Sequence, residues 1–287
     1  MMENEYLGKL EDIMPTLPSK SVRMIFADFP FSTTRASWDT PVDLGLFWQE
    51  AWRILLDDGV VIAKAQPPFN ITLGASQLKN FKYEWIWEKT SATGGLNCKK
   101  APLKASENLM VFYKKQPLYN PQKTEGHKPV NSFTKRKEVA DKCELYNKNT
   151  KDVSGGGNTD RYPRNVLKFA SDKQRLAIHP TQTPEALIEY FIKTYTNEGD
   201  TILDPCRGVN GVGVCADRLN RKVILIEKDE KFYNMGLLRR YFPHLKTKEI
   251  KQKYFEIYGN EYYKESAITT FVHYFYNSYS THSSLIL

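Results

Sequence analysis

The sequence predicts an α/β protein built on a mostly parallel sheet. Three observations predict it. Short apolar runs of strand character alternate with stretches of helical spacing, which implies βαβ units. Gly, Pro and Asp punctuate the joints between them. Hydrophobic residues make up 41% and aromatics 13%, enough to cover both faces of such a sheet. The same composition excludes disordered, coiled-coil and collagen-like classes. No apolar run approaches the roughly 18–20 residues that a bilayer span needs.

Residues 22–28 (VRMIFAD) read as a buried strand running into a turn. Residues 44–56 have helical apolar spacing, and 59–65 (GVVIAKA) form a second buried strand. A helix is expected over 69–78, with further strands at 83–88 and 108–113. From 114 to about 173 the periodicity collapses among Pro117, Pro121, Pro129 and the Gly155-Gly156-Gly157 run. A long irregular segment inside a compact chain is usually functional or disordered. Regular pattern returns as a helix at 184–195, a strand at 201–204, a helix at 211–219, a strand at 223–227 and a helix at 231–241. Residues 254–279 carry ten aromatics, including Phe271, Tyr274, Phe275 and Tyr276, and are expected to form a helix packed on the body.

The 287 residues allow one large domain with an insertion, or two domains. The net charge of +8 is unevenly placed. Residues 99–175 hold eighteen basic and eight acidic side chains, a local +10, and the rest of the chain is close to neutral. A neutral body with a cationic middle suits a polyanion such as nucleic acid, against the plainer alternative of solvated lysine loops. Cys98, Cys143, Cys206 and Cys215 form no C-x-x-C pair, which argues against zinc or disulfide frameworks and fits a reducing compartment. No metal site is expected. The acidic start, Met1-Met2-Glu3-Asn4-Glu5, lacks the basic and greasy pattern of a secretory signal, so a cytoplasmic location is expected.

Ligands of open parallel sheets bind outside the carboxyl ends of the strands. Two strands here end in unusual loops. One is TILDPCRGVNGVG (201–213), a strand, a turn of small or left-handed-tolerant residues, and a helix start. Glu227 closes the next strand 23 residues after Asp204, a spacing suited to a carboxylate that accepts ribose hydroxyls. A carboxylate at the mouth of such a loop suits a cation better than a pyrophosphate, so a sulfonium cofactor fits better than NAD. The other loop is Asp28-Phe29-Pro30-Phe31. Its carboxylate and turn carbonyls can accept hydrogen bonds from an amino group while an aromatic ring stacks on a flat base. In isolation, this short run also reads as an ordinary turn with two core phenylalanines.

In order along the chain stand Asp28-Phe29-Pro30-Phe31, the basic insert, His179-Pro180-Thr181-Gln182-Thr183-Pro184 and Asp204-Pro205-Cys206-Arg207-Gly208. This order resembles the DNA amino-methyltransferases of the β arrangement, with their D-P-P-Y loop, target-recognition region, H-P-T-Q-K-P motif and D-P-x-x-G-x-G loop. Trp87-Glu88-Lys89, Ala92-Thr93-Gly94, Leu96-Asn97, Val111-Phe112-Tyr113-Lys114-Lys115 and residues 155–164 are similar to phage and bacterial members. The resemblance covers the chain to about Pro243.

The resemblance implies a Rossmann-like methyltransferase sheet that uses S-adenosyl-L-methionine (AdoMet), with an irregular basic target-recognition insert. It divides the chain into a catalytic half (1–114), the insert (115–175), a cofactor-binding half (176–242) and an aromatic-rich helical extension (243–287). It implies a site-specific adenine methyltransferase acting on a base flipped from double-stranded DNA. Asp28 and the Phe29 carbonyl would accept the amino hydrogens beside Pro30, and Phe31 would stack on the base. The cofactor would lie on Asp204, Pro205, Cys206, Gly208, Asn210 and Gly211, with Glu227 at the ribose and His179, Pro180, Thr181 and Gln182 at the methionine end. Thr33 and Thr34, followed by Trp38 and Asp39, are placed to cover the site or touch phosphates. Lys135, Arg136, Lys137, Arg161 and Arg164 are the expected DNA contacts. A second copy of the chain and a cognate restriction endonuclease are candidate partners; a membrane is not.

The chain departs from the family pattern at four places. Phe29 replaces a proline and Phe31 a tyrosine, and a phenyl ring still stacks. Val209-Asn210 stands where Ser-Gly is usual, and the Asn210 side chain is expected to crowd the cofactor. Thr183 replaces a lysine. N4-cytosine methylation remains an alternative, although that group usually has serine where Asp28 stands. A decayed DNA-binding protein on the same fold is a second alternative, suggested by Asn210 and Thr183. The cytosine C5 mechanism is disfavoured because Pro205-Cys206 lies inside the cofactor turn. A nicotinamide dehydrogenase is disfavoured because it has no use for the basic insert or for Asp28-Phe29-Pro30-Phe31.

Overall fold

The computed structural model describes residues 4–31, 40–136, 152–171, 182–243, 249, 250 and 253. The first part of the chain forms β1 (Glu5–Leu7), α1 (Leu10–Ile13), β2 (Val22–Asp28), α2 (Leu44–Ile54), β3 (Leu55–Ala65), α3 (Phe69–Ser76), β4 (Phe81–Thr93) and β5 (Lys104–Phe112). The middle contributes β6 (Phe133–Lys135), β7 (Val153–Gly155) and β8 (Val166–Phe169). Then follow α4 (Glu185–Tyr195), β9 (Thr201–Asp204), α5 (Gly211–Arg218), β10 (Lys222–Glu227) and α6 (Glu230–Tyr241). The aromatic-rich run at 254–279 lies outside the described residues.

Eight strands form one sheet in the order β1-β10-β9-β2-β3-β5-β4-β8. All of the described pairings in it are parallel except those of β5 with β3 and β4. Alternation along each strand sends successive side chains to opposite faces. Ile25, Ala27, Val61, Ala63, Met110 and Phe112 point to the face covered by Phe47, Trp48, Ala51 and Ile54 of α2. Met24, Phe26, Val60, Ile62, Leu109 and Val111 point to the opposite face, under Leu187, Ile188 and Phe191 of α4 and Val212 and Cys215 of α5. Asp43 caps α2 by accepting from the Leu46 N–H at 3.1 Å, and Asp229 caps α6 by accepting from Phe232 at 3.1 Å.

The centre of the sheet is a junction of sequence-distant strands. Met24 pairs with Ile202 and Ile25 with Leu203, joining β2 to β9. From β2 the chain moves outward to β3, and from β9 it moves the other way to β10. This is a topological switch point, where crossover helices leave in opposite directions and a crevice opens outside the strand ends.

The chain separates into two compact units, residues 1–119 with 165–287 and residues 120–164. The second is narrower than the insert expected at 115–175, because β8 belongs to the large sheet, pairing with β4 from Ile86–Val166 to Lys89–Phe169. Four residues without a clean period, set in a charged stretch, gave no strand signal. The smaller unit is built on the antiparallel β6–β7 pair and a Thr124–Arg161 bridge. Gly156 backs onto the Ser132 backbone so closely that a Cβ would overlap it.

Candidate active site

Six adjacent strands each present one charged side chain at the same edge and on the same face. Asp28 lies two residues beyond Phe26, Lys64 beyond Ile62, and Asp204 beyond Ile202. Glu227 lies beyond Leu225, Lys89 beyond Trp87, and Glu107 two residues before Leu109. Each of those apolar neighbours belongs to the one core cluster under α4 and α5, so the period of two places all six charges in a row. In sheet order the row is Glu227, Asp204, Asp28, Lys64, Glu107, Lys89. All six line one cavity of about 780 Å³, together with Phe29, Pro30, Phe31, Gln182, Pro205, Cys206, Gly208 and Gly211. The two loops singled out in the sequence, 176 residues apart, therefore open into a common space.

In the right half of the row every charge is paired. Lys64 Nζ donates to Asp28 Oδ2 at 2.8 Å and to Thr183 Oγ1 at 2.9 Å, and the Thr183 hydroxyl donates to the same Oδ2 at 2.8 Å. Lys64 also faces Glu107 Oε2 at 3.2 Å, and Lys89 holds Glu107 Oε1 at 2.5 Å. Burial alone would pull the Lys64 pKa down, but Asp28 and Glu107 outweigh it and the ammonium stays charged well above neutrality. Burial likewise raises Glu107, and Lys64 and Lys89 reverse that to a net lowering. Lys64, Glu107 and Lys89 are not site residues by the sequence reading, and Thr183 enters it only as a departure from the family motif. The available signal was a lysine inside the apolar run GVVIAKA, since a buried lysine requires a partner.

In the left half, Asp204 and Glu227 have no side-chain ion pair among the described residues, and Arg207 only partly offsets their burial. Asp204 is 3% exposed and accepts the Cys206 N–H at 3.1 Å. Burial pushes its carboxyl pKa well up, that N–H opposes it, and the nearby Asp28 and Glu227 carboxylates push further. Glu227 is also raised by burial, against the Asp229 and Gly208 N–H groups that it accepts at 2.8 and 2.7 Å. Gln182 is 6% exposed and lines the cavity with both side-chain polar atoms unpartnered among the described residues. Within the row, the two raised carboxylates and the orphaned amide of Gln182 offer acceptors to a cationic polar ligand. Burial and the neighbouring carboxylates also drive the Cys206 thiol well up, so it is no thiolate nucleophile.

Asn210 takes the left-handed conformation, φ 64°, as the turn requires. Contrary to expectation, it does not line the cavity. Its side chain is fully buried and points beneath the turn, with Nδ2 donating to the Gly236 carbonyl at 3.4 Å. A Cβ on Gly213 would overlap Asn210 Oδ1, and one on Gly236 would press on Asn210 Cβ at 3.0 Å. Two glycines thus make room for the asparagine away from any ligand. Arg207 anchors the turn from below, paired with Glu5 and donating to the Tyr233 carbonyl.

Phe29 is 2% exposed and meets Phe47 edge-on at 4.8 Å, so this substitute for the family proline is a core residue whose contribution to the cavity is its backbone. Phe31 packs against Phe69 at 5.6 Å, with Lys64 Nζ 5.9 Å from its ring centre. The short β1 brings Gly8, Lys9, Leu10, Glu11 and Asp12 to the cavity wall, a contribution the sequence did not disclose. His179, Pro180, Thr181, Thr33, Thr34, Trp38, Asp39 and Lys137 lie outside the described residues. In the smaller unit Lys135, Arg136 and Arg164 are exposed. Arg161 differs from expectation: its Nη1 donates to the Asn158 and Asp160 carbonyls at 3.0 and 2.8 Å and its Nη2 to that of Lys128. With three donors committed to backbone, it braces the loop.

Comparison with known proteins gives the family and the fold. The family model described as DNA methylase (N6_N4_Mtase) matches residues 22–237, from the start of β2 into α6. The chain belongs to the N6/N4 DNA methylase family. It is an AdoMet-dependent DNA amino-methyltransferase. The DNA adenine methyltransferase YhdJ of Escherichia coli (strain K12) is 27% identical over 245 residues, 78% of this chain and 77% of its own. The type II methyltransferase M2.MboI of Moraxella bovis is 27% identical over 278 residues, 87% and 92% of the two chains. Among solved structures, the cytosine-N4-specific PvuII DNA methyltransferase shares the fold at a TM-score of 0.61 and 18% identity, covering 87% of this chain and 90% of that one. The M1.HpyAVI–SAM complex does so at 0.55 and 19%, covering 82% and 98%.

Proposed function

We propose that the chain methylates the exocyclic N6 amino group of adenine in double-stranded DNA. The observation that carries this reading is the shared cavity. Asp28 and Phe31 line it on β2 and the loop that follows, Asp204 lines it on the adjacent β9 and Glu227 on β10, so an amino group at the first pair and a sulfonium at the second would face each other. AdoMet, when bound, supplies an electrophilic methyl group. Glu227, Asp204, Gln182 and the turn at Cys206 and Gly208 are the residues that would hold it.

The chain's own part is to bind, orient and polarise. An adenine amino nitrogen is a poor nucleophile because its lone pair is delocalised into the ring. Asp28 Oδ2 is occupied by Lys64 and Thr183, which leaves Oδ1 and the Phe29 carbonyl to accept the two amino hydrogens. Those bonds draw the nitrogen toward tetrahedral geometry and stabilise the positive charge that develops on it. Phe31, backed by Phe69, offers the ring on which a flipped base stacks. Holding both reactants in one cavity is worth roughly 7–11 kcal/mol in favourable cases. The exposed Arg164, Lys135 and Arg136 are the phosphate contacts of this reading, with a homodimer and a cognate endonuclease as further candidate partners.

Aspartate, where the N4-cytosine group carries serine, favours adenine. The test is direct mapping of modified bases in DNA from cells that express the protein. N6-methyladenine at one recurring sequence is expected, and N4-methylcytosine in its place would assign the other substrate.

A further inference from the structure

We propose that Lys64 is a positioning residue for methyl transfer, acting through Asp28 and supplying the ammonium that the family motif places at position 183. The inference rests on the reading of Asp28 as the group that receives the amino hydrogens. Lys64 stands directly across from Asp28 in the β2–β3 register. Its Nζ and the Thr183 hydroxyl converge on the same oxygen, Oδ2, at 2.8 Å each. The hydroxyl accepts from Lys64 and donates to Asp28, so its one proton has a single direction. This triangle fixes the carboxylate plane and directs Oδ1 to the substrate.

Lys64 is itself held from behind. Glu107 and Lys89, on the next two strands of the sheet order, continue the chain of alternating charges and are both buried. If the ammonium swung away, Glu107 Oε2 would lose the ion pair that it makes at 3.2 Å and only Oε1 would stay held, by Lys89. Thr183 reaches the row with a hydroxyl and brings no charge, and Lys64 supplies the ammonium from β3. The departure at position 183, which taken alone suggested a decayed site, is thereby compensated.

The experiment compares wild type, Lys64→Met and the exchange variant Lys64→Thr/Thr183→Lys in steady-state methyl transfer to DNA, alongside direct AdoMet binding. Outer partners that orient a metal-binding side chain carry roughly 10- to 100-fold of affinity or activity, and a loss of the same order is expected where the oriented group is the Asp28 carboxylate. Lys64→Met is expected to lose kcat in that range with AdoMet affinity and the KM for DNA unchanged, and the exchange variant to recover most of it. Unchanged kcat in Lys64→Met would overturn the proposal. So would a parallel loss of kcat, AdoMet affinity and thermal stability, which marks a structural role. Should Lys64→Met fail to fold, the exchange variant decides: folded and active supports the proposal, folded and inactive refutes it. The ratios are taken against wild type on whichever base it modifies, so a cytosine product would defeat the adenine reading without touching this one.

Discussion

At the scale of single residues, the site is a set of charges held in unequal balance. Asp204 is an acid whose folded pKa is raised by burial and by neighbouring carboxylates. The folded state therefore binds a proton more tightly than the unfolded chain does. Stability falls as pH rises from the ordinary value of 3.8 through the raised folded value, and the destabilisation is complete above it. Asp204→Asn is thus expected to raise the melting temperature of the ligand-free protein at neutral pH, with the difference fading as pH drops toward 3.8; melting curves across pH measure it. Binding of a cation reverses the preference. AdoMet binding should tighten with rising pH, release protons measurable by calorimetry in two buffers, and weaken in Asp204→Asn. Asp28 plays a different part. Asp28→Ala should reduce methyl transfer by roughly 100- to 1000-fold, as loss of one preorganised charge-stabilising group does. Equilibrium dialysis should show AdoMet binding intact.

At the scale of elements, legibility followed length and period. β2 and β9 were readable to the residue because each is an apolar run ending at an aspartate. β1, at three residues, and β8, at four, carry too little pattern, and their partners β10 and β4 are remote in sequence. The two loops were legible because they combine turn chemistry with an acid. The row of charges was not, because it exists only once the sheet order is known: Lys64 and Glu107 become neighbours through the β3–β5 pairing. Asn210 shows a further limit. Its left-handed backbone was foreseeable, while the direction of its side chain depended on Gly213 and Gly236. Gly213→Ala should therefore destabilise the fold by about 1–3 kcal/mol through overpacking. Adding Asn210→Gly should restore most of the loss, a coupling that a double-mutant cycle by urea unfolding would reveal.

At the scale of the whole molecule, the positive charge is concentrated in the middle of the sequence and the rest is close to neutral. The large unit holds the cavity at the junction of β2 and β9, where two halves of the chain meet edge to edge. The unit of residues 120–164 holds exposed Arg164, Lys135 and Arg136. Among the described residues no helix is long and apolar enough to cross a membrane. Removing charge at Arg164, Lys135 and Arg136 should weaken DNA binding and flatten its dependence on salt. The log–log slope should shrink by about 0.9 for each phosphate no longer neutralised. Arg161→Ala should instead loosen the loop that it braces, seen as faster amide exchange around Lys128 and Asn158.

The most direct measurement follows a labelled methyl group from AdoMet into unmethylated double-stranded DNA, with the product nucleosides separated and identified. Label is expected in N6-methyl-2′-deoxyadenosine from the wild type and almost none from Asp28→Ala. Label in N4-methyl-2′-deoxycytidine, or an Asp28→Ala protein as active as wild type, would contradict the assignment of Asp28 to adenine methylation.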